Sequence, residues 1–372
     1  MTERKIMRIL FFIGNMDHTG GTERVLARIA GGLAQKGYEI EIASMYAGLH
    51  PVFSTGKPVL LHSLGKDYPK GAAAHLHNLY GLCSLVARRC PDVLVLVDVI
   101  LMFYAFPLAL SGRCKIIGWE HFNYYYQFRK NNRLRRAAIW LAVQLSDAYV
   151  VLSEEDKGYY CSHFRKNGHI RRIYNPTSFH TAAVRPDKKE PVVLAAGRLE
   201  RVKGFDLLLD SWKRIEERFP DWSLIIAGEG EERARLEEQI RMEGLRRVKL
   251  AGKQEDMEKL YRIASVFALP SRQEGFGMVL LEAMEYGIPV VSFACQAGPS
   301  EIVSDGKDGF LVKTKDREAF AGKMGELMED KDMAERMGRE GVRSVRRFGL
   351  EGILDQWDQL LKETLERRRR LL

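Results

Sequence analysis

Cysteine is sparse in this chain: Cys83, Cys90, Cys114, Cys161 and Cys295 make an odd count, form no Cys-x-x-Cys pair and have no His-rich companion spacing. Neither a disulfide framework nor a structural zinc site is indicated, which suits a reducing cytoplasm. Long apolar runs are scarce as well. Met1 to Arg8 lead into only the short run Ile9–Ile13, so no secretory signal is expected there. The one stretch near membrane-spanning length, Val93–Leu110, is interrupted by Asp98 and carries Pro107 near its end. The turn-like Pro91-Asp92 before it and its valine-rich start suit a buried parallel strand followed by a core helix. Acidic residues are short in one half only: residues 1–180 hold 23 Lys and Arg against 13 Asp and Glu, and residues 181–372 hold 35 against 36. The net charge of +9 therefore belongs to the first half. It implies an anionic partner, a membrane surface or a nucleic acid, that touches that part alone.

What is present is an alternation of strand-like and helix-like segments. Met7–Ile13, Tyr38–Ser44, Val93–Val97, Lys115–Gly118 and Tyr149–Leu152 read as strands, with helices at Thr22–Gln35 and Leu76–Arg88. The periodicity weakens after Asn175-Pro176, through His180, Pro186 and the charged run Asp187–Glu190, and a second series starts at Pro191. Strands are expected there at Pro191–Ala195, Trp222–Ala227, Val248–Leu250, Val266–Leu269, Pro289–Ser292 and Gly309–Val312. Helices are expected at Phe205–Phe219, Glu231–Gly244, Met257–Ala264 and Gly277–Tyr286. The fold class is α/β: two doubly wound parallel-sheet domains, residues 1–180 and 181–349, with a final helix over 350–372, and a cleft between them for ligands.

The chemistry-bearing residues cluster after the strands of the second series. Glu274 and Glu282 flank Gly275-Phe276-Gly277 at a strand-to-helix turn, where free helix N–H groups make an anion site and glycine lets a phosphate approach the backbone. Gly197-Arg198 and Lys203-Gly204 follow the first strand of that series, so a guanidinium and an ammonium project from one loop and together suit a diphosphate leaving group. Taken singly, each of these residues also fits an ordinary solvated surface.

Together with Ala227-Gly228-Glu229-Gly230, Pro270-Ser271, Glu282-Ala283, Gly287-Ile288-Pro289-Val290-Val291 and Asp305-Gly306-Lys307-Asp308-Gly309-Phe310, this set resembles the nucleotide-sugar-binding half of the family 4 retaining glycosyltransferases. The likeness is dense over residues 191–312. In the first half it is looser, carried by Gly20-Gly21-Thr22-Glu23-Arg24, Glu120-His121, Ser153-Glu154 and Asn175-Pro176. It implies a GT-B architecture, a donor held by the second domain, an acceptor on the first, and a final helix returning to the first domain. It implies no metal: the one Asp-x-Asp spacing, Asp330-Lys331-Asp332, falls in a charged helical stretch. The catalytic residues implied are Arg198, Lys203, Glu274 and His121, with Glu274 on the donor sugar and front-face transfer that retains configuration. The donor contacts implied are Gly20, Gly21, Gly197, Gly252, Lys253, Gly275, Phe276, Gly277 and, on the ribose, Glu282. Ala297-Gly298-Pro299-Ser300-Glu301 resembles a variant of UDP-sugar users, some acting on lipid-linked oligosaccharides, which implies a UDP-hexose or UDP-N-acetylhexosamine donor.

Residues 119–143 interleave Trp119, Phe122, Tyr124, Tyr125, Tyr126, Phe128 and Trp140 with Arg129, Lys130, Arg133, Arg135 and Arg136, opposed only by Glu120. A helix from about Asn131 onward would bury Leu134, Ala138, Leu141 and Leu145 and turn its arginines outward. That is a fit to an anionic membrane or to the diphosphate of a polyprenol-linked glycan acceptor. An ordinary packed helix with solvated arginines reads equally from the pattern. The expectation is a peripheral enzyme at the inner face of the plasma membrane that does not bind nucleic acid. The rival readings are a nucleotide-sugar epimerase of the same fold and a basic nucleic-acid-binding protein. A nicotinamide oxidoreductase is disfavoured because Gly14–Gly20 lacks Gly-x-Gly-x-x-Gly spacing.

Overall fold

The computed structural model describes residues 6–124, 132–178 and 189–366. Tyr125, Tyr126, Phe128, Arg129 and Lys130 of the basic segment, the linker from His180 to Asp187 and Arg367–Arg370 lie outside the described residues. The chain divides into two compact units, Met1–Pro176 joined by Phe348–Leu372, and Thr177–Arg347.

The first unit is built on short apolar runs that pair in parallel: β1 (Arg8–Ile13), β2 (Glu39–Ser44), β3 (Leu60–Ser63), β4 (Val93–Val97), β5 (Lys115–Trp119), β6 (Ala148–Val151) and β7 (Ile170–Arg172). Their order is β3-β2-β1-β4-β5-β6-β7. Val93–Val97 is buried along its whole length, as a strand covered by helices on both faces must be. Phe11 lies opposite Ile42 on one side and Val95 on the other, so β1 marks the point where the strand order turns. In such sheets, ligands sit beyond the carboxyl ends of the strands at that point. Beyond β4, Asp98 takes φ of +95° and stops the strand. A single turn, Val99–Leu101, then leads into α3 (Met102–Ser111), which contains Pro107. Among the described residues no helix is long and apolar enough to cross a membrane.

Helix α1 (Gly21–Gln35) buries Val25, Leu26, Ile29 and Leu33. Across it lies the chain's last helix, Leu350–Glu366, with Ile353, Leu354, Trp357 and Leu361 inward. Lys36 Nζ donates to Asp355 at 2.7 Å, and the Tyr38 hydroxyl donates to Asp358. The outer strands β3 and β7 did not stand out in the sequence. They are three or four residues long, have one neighbour each and are half exposed, so neither shows a continuous apolar run.

The second unit is a six-stranded parallel sheet of order β10-β9-β8-β11-β12-β13. Its strands are β8 (Val192–Ala196), β9 (Ser223–Ala227), β10 (Val248–Gly252), β11 (Val266–Leu269), β12 (Val290–Phe293) and β13 (Gly309–Val312). The helix expected at Phe205–Phe219 stops at Lys213. There i→i+3 bonds mix with i→i+4 bonds, and Glu216 Oε1 accepts from the backbone of Arg246 and Arg247 and from Trp212 Nε1. Asp330 caps the helix Lys331–Ser344 by accepting from Met333 N at 2.8 Å.

Candidate functional site

At the carboxyl end of β8 the chain turns through Gly197-Arg198 and a short 3-10 turn, Arg201–Lys203, before entering the helix at Phe205. That loop is fastened to the loop after β11. Arg272 makes two bonds to Asp206, at 2.7 and 2.6 Å, and donates to Arg201 O at 2.7 Å, while its own N–H reaches Val202 O at 2.9 Å. Gly204 has φ of +70°, and a Cβ there would lie 2.1 Å from Pro270 O, so only glycine permits so close an approach. The result is that Lys203 and Glu274, 71 residues apart, form an ion pair: Nζ lies 2.8 and 3.0 Å from the two carboxylate oxygens. Ser271 Oγ adds a bond to Glu274 at 2.6 Å. Glu274 is 7% exposed. Ser271, present in the motif but given no role by it, is therefore the third member of this group.

Gly275-Phe276-Gly277 leads into the helix Met278–Glu285, whose start no side chain caps among the described residues. Free N–H groups at a helix start are of the kind that can take an anion. Gly298, at φ of +97°, backs onto Phe276 O so closely that a Cβ would meet it at 2.3 Å, which ties the 297–301 segment to the same loop. Glu282, a turn inside the helix, is buried and accepts from Ser178 Oγ and from the Tyr261 hydroxyl, both at 2.8 Å. Arg198 is the exposed member: its side chain is 72% exposed and pairs with Glu200 at 2.7 Å. A pair so exposed holds weakly, leaving the guanidinium able to turn onto an anion. Gly252 closes β10, accepting from Gly228 N at 2.8 Å, and Lys253 beyond it is exposed. Cys295, which the sequence left without a role, lies near Glu274. Burial first, and then the Glu274 charge, push its thiol up and keep it protonated.

The first unit presents a second group at the ends of β4 and β5. Arg135 donates to Asp98 at 3.1 Å through Nη1 and to Glu120 at 2.7 Å through Nη2, and its guanidinium lies 4.4 Å from the centre of the Phe122 ring. Burial opposes the arginine's charge, and Glu120 and Asp98 hold it on. Burial drives the Glu120 carboxyl up to about 7, with Arg135 opposing. Burial, and secondarily Arg135, bring His121 down to about 3, so its ring is neutral. That ring lies 4.4 Å from Trp119, which in turn meets Trp357 at 4.8 Å. Trp119 Nε1, Glu120 Oε2, His121 Nε2 and Arg135 Nε are buried with no hydrogen-bond partner among the described residues. Four such atoms in one place are unusual in a finished core, where buried polar groups are paired. Gly20 and Gly21 open α1 after β1, and no described side chain caps that start either.

The helix Arg133–Leu145 corrects the expected face. Its buried residues are Arg135, Ala138, Ile139, Ala142 and Val143, while Leu134 is 70% exposed. An arginine occupies the inward stripe because two carboxylates neutralise it there, and both lie far from it in sequence. Arg133, Arg136 and Trp140 face outward with Leu134. Among the described residues, no three His, Cys, Asp or Glu side chains are grouped as metal ligands would be.

Two family models match the chain: Glycosyltransferase Family 4 over residues 19–179 and Glycosyl transferases group 1 over residues 178–343. The amylovoran biosynthesis glycosyltransferase AmsD of Erwinia amylovora is 28% identical over 363 residues, covering 95% of this chain and 99% of that protein. An N-acetyl-D-galactosaminyltransferase of Campylobacter jejuni, whose name gives an undecaprenol-linked glycan as its acceptor, is 26% identical and covers 96% of this chain and 99% of that one. Among solved structures, Anabaena HepE in complex with UDP and glucose superposes with a TM-score of 0.80 at 20% identity, covering 95% of this chain and 99% of that one. TarM gives a TM-score of 0.84 at 15% identity, covering 97% and 100%. At these identities the structural likeness is one of fold.

Proposed function

Because this chain belongs to glycosyltransferase family 4 and has the GT-B fold, we propose that it moves a hexose or N-acetylhexosamine from a UDP-sugar to a glycan acceptor carried on a polyprenyl diphosphate. It is a glycosyltransferase of polysaccharide and glycoconjugate assembly. The observation that carries the donor assignment is the Lys203–Glu274–Ser271 group set beside an uncapped helix start.

In this reading Gly275–Gly277 and the helix N-terminus take the diphosphate, with Gly197, Gly252 and Lys253 completing the nucleotide contacts and Glu282 holding the ribose. Glu274, already aligned by Lys203 and Ser271, accepts from hydroxyls of the donor sugar. As the bond from the anomeric carbon to the diphosphate oxygen breaks, Lys203 and Arg198 neutralise the charge that gathers on the leaving group. That is charge a metal ion would otherwise carry. The acceptor hydroxyl attacks on the same face and passes its proton to the departing phosphate oxygen, so configuration is retained and UDP leaves protonated. His121, neutral and with no partner for Nε2 among the described residues, offers a hydrogen bond to a sugar hydroxyl. Gly20-Gly21 lets the diphosphate or the acceptor approach the backbone.

The first unit is assigned to the acceptor and to an anionic membrane surface on the cytoplasmic side. Its excess of basic residues supports this, as does the outward set of Arg133, Leu134, Arg136 and Trp140, an aromatic and basic face of the interfacial kind. The test is a donor screen that measures nucleoside diphosphate release with and without a polyprenyl-diphosphate-linked sugar. UDP release from a UDP-hexose or UDP-N-acetylhexosamine, accelerated by the lipid-linked sugar, is expected. Release from GDP- or ADP-sugars alone, or rates indifferent to the acceptor, would overturn the assignment.

A further inference from the structure

Around the carboxyl ends of β1 to β4 the first unit carries a row of aromatic rings that the donor chemistry does not use. His18 lies in the loop before α1, Tyr46 follows β2, Tyr68 follows β3, and His75 and Tyr104 sit near the starts of α2 (Gly71–Arg89) and α3. The rings form two sets in contact, His18 with Tyr46 and Tyr68, and His75 with Tyr104. His18 meets Tyr46 edge-on with 6.1 Å between ring centres, and Tyr46 meets Tyr68 edge-on at 5.4 Å. Burial, and then the neighbouring Tyr68 phenol, push the Tyr104 hydroxyl up. His75 Nδ1 lies 2.5 Å from that hydroxyl, and its ring is tilted against Tyr104 at 5.9 Å. His18 and His75 are exposed, Tyr68 is 58% exposed, and Tyr46 and Tyr104 are half-buried.

The loops that carry the rings are held from below. Asp17 accepts from Gly48 N at 2.8 Å and from His50 N at 2.7 Å, which joins the β1 and β2 loops. Ala47 N donates to Gly65 O at 2.8 Å, which joins the β2 and β3 loops. Asn78, 2% exposed, donates from Nδ2 to Met45 O at 3.1 Å. Phe12 of β1 meets Tyr104 edge-on at 6.0 Å. Tyr46 and Tyr104 are half-buried against the core, whereas His18, Tyr68 and His75 stay open to solvent and forgo that burial, and exposed rings beside one another on fixed loops mark a surface that something covers.

We propose that His18, Tyr46, Tyr68, His75 and Tyr104 form a platform for a pyranose ring of the acceptor glycan. A sugar matches it in chemistry: its C–H face lies on an aromatic face, while phenol and imidazole groups at the rim exchange hydrogen bonds with its hydroxyls. None of the five is Arg or Lys, so the platform selects the sugar and not a diphosphate. The inference rests on the transferase reading, since a glycosyltransferase holds an acceptor sugar as well as a donor.

Saturation-transfer NMR on the full-length protein tests it, with methyl glycosides of glucose, galactose, N-acetylglucosamine and N-acetylgalactosamine as probes and UDP affinity measured on the same samples by calorimetry. At least one glycoside should receive saturation on its ring protons. Tyr46→Ala with Tyr68→Ala should weaken that signal, each lost ring by roughly 2- to 10-fold. Tyr46→Phe with Tyr68→Phe should keep most of it, and UDP affinity should be unchanged in both. The exposed His18→Ala, which leaves the fold undisturbed, should weaken it about 2-fold. Wild-type protein that binds UDP but saturates no glycoside, or an Ala pair that saturates as wild type does, overturns the platform and leaves the transferase reading standing. Wild-type protein that fails to bind UDP overturns that reading, and the platform with it.

Discussion

The two units share one sheet plan and differ in almost everything laid over it. The first carries the whole positive excess: the returning segment Phe348–Leu372 adds five basic and five acidic residues and leaves the imbalance as it was. Among the described residues, the exposed large hydrophobic side chains also lie in the first unit, with Met242 the exception. The second unit is near neutral and closes its surface, and its charged residues of interest are already paired by short, named contacts. A nucleotide diphosphate, in the proposed reading, needs few groups in fixed places, and the second unit holds Lys203, Glu274 and Ser271 together on two joined loops. A large, lipid-borne acceptor, in the proposed reading, needs area, and the first unit offers exposed rings, exposed arginines and buried polar atoms without partners among the described residues.

The largest effect that sharpens this contrast should come from the first unit's buried charges. Arg135→Met strands Asp98 and Glu120 without a counter-charge and should destabilise the protein by about 3–5 kcal/mol in urea unfolding. Because Glu120 already tends to take a proton near neutral pH, the loss should shrink below pH 7. A neutral substitution would show that the network is a surface one. Next come Lys203→Ala and Glu274→Ala in the second unit. Each should lower turnover roughly 10²- to 10³-fold, the scale for losing a group that meets transition-state charge. Arg198→Ala should do comparable harm despite its exposure. Rates near wild type in Lys203→Ala and Arg198→Ala together would remove the division of work.

A subtler difference is electrostatic. His121 is depressed in the folded state to about 3 from 6.5, so the unfolded chain binds the extra proton between those values. The stability it contributes is full above pH 6.5 and is lost as pH falls towards 3. Glu120, raised from 4.5 to about 7, acts the other way: its contribution is full below 4.5 and is lost as pH rises through 7. The two oppose each other between pH 4.5 and 6.5. His121→Gln leaves only the Glu120 slope, so Tm should fall more steeply with rising pH across that window than in the wild type. Parallel curves would contradict the assignment. The smallest effect is on membrane contact: Arg133→Glu with Arg136→Glu should reduce flotation with anionic liposomes, and wild-type flotation should weaken as salt rises.

The same contrast explains what could be read from the chain alone. In the second unit Glu274, Gly275–Gly277 and Glu282 lie within one strand–loop–helix turn, so spacing reveals them, and Lys203 follows the first strand at a short interval. The central strands of both sheets announce themselves as apolar runs because helices cover both their faces. The first unit's group was hidden for the opposite reason. Asp98, Glu120 and Arg135 come from three separate elements, and an arginine on an inward stripe looks like any outward one until its carboxylates are found. The aromatic platform was hidden likewise, since His18, Tyr46, Tyr68, His75 and Tyr104 each belong to a different loop or helix start. β3 and β7, short and half exposed, left no pattern to find.

Photolabelling with 5-azido-UDP-glucose, followed by peptide mapping, tests the division of labour most directly. Labelled peptides should fall within Thr177–Arg347 and be lost in Lys203→Ala. Labelling concentrated in Met1–Pro176, and unchanged by Lys203→Ala, would contradict it.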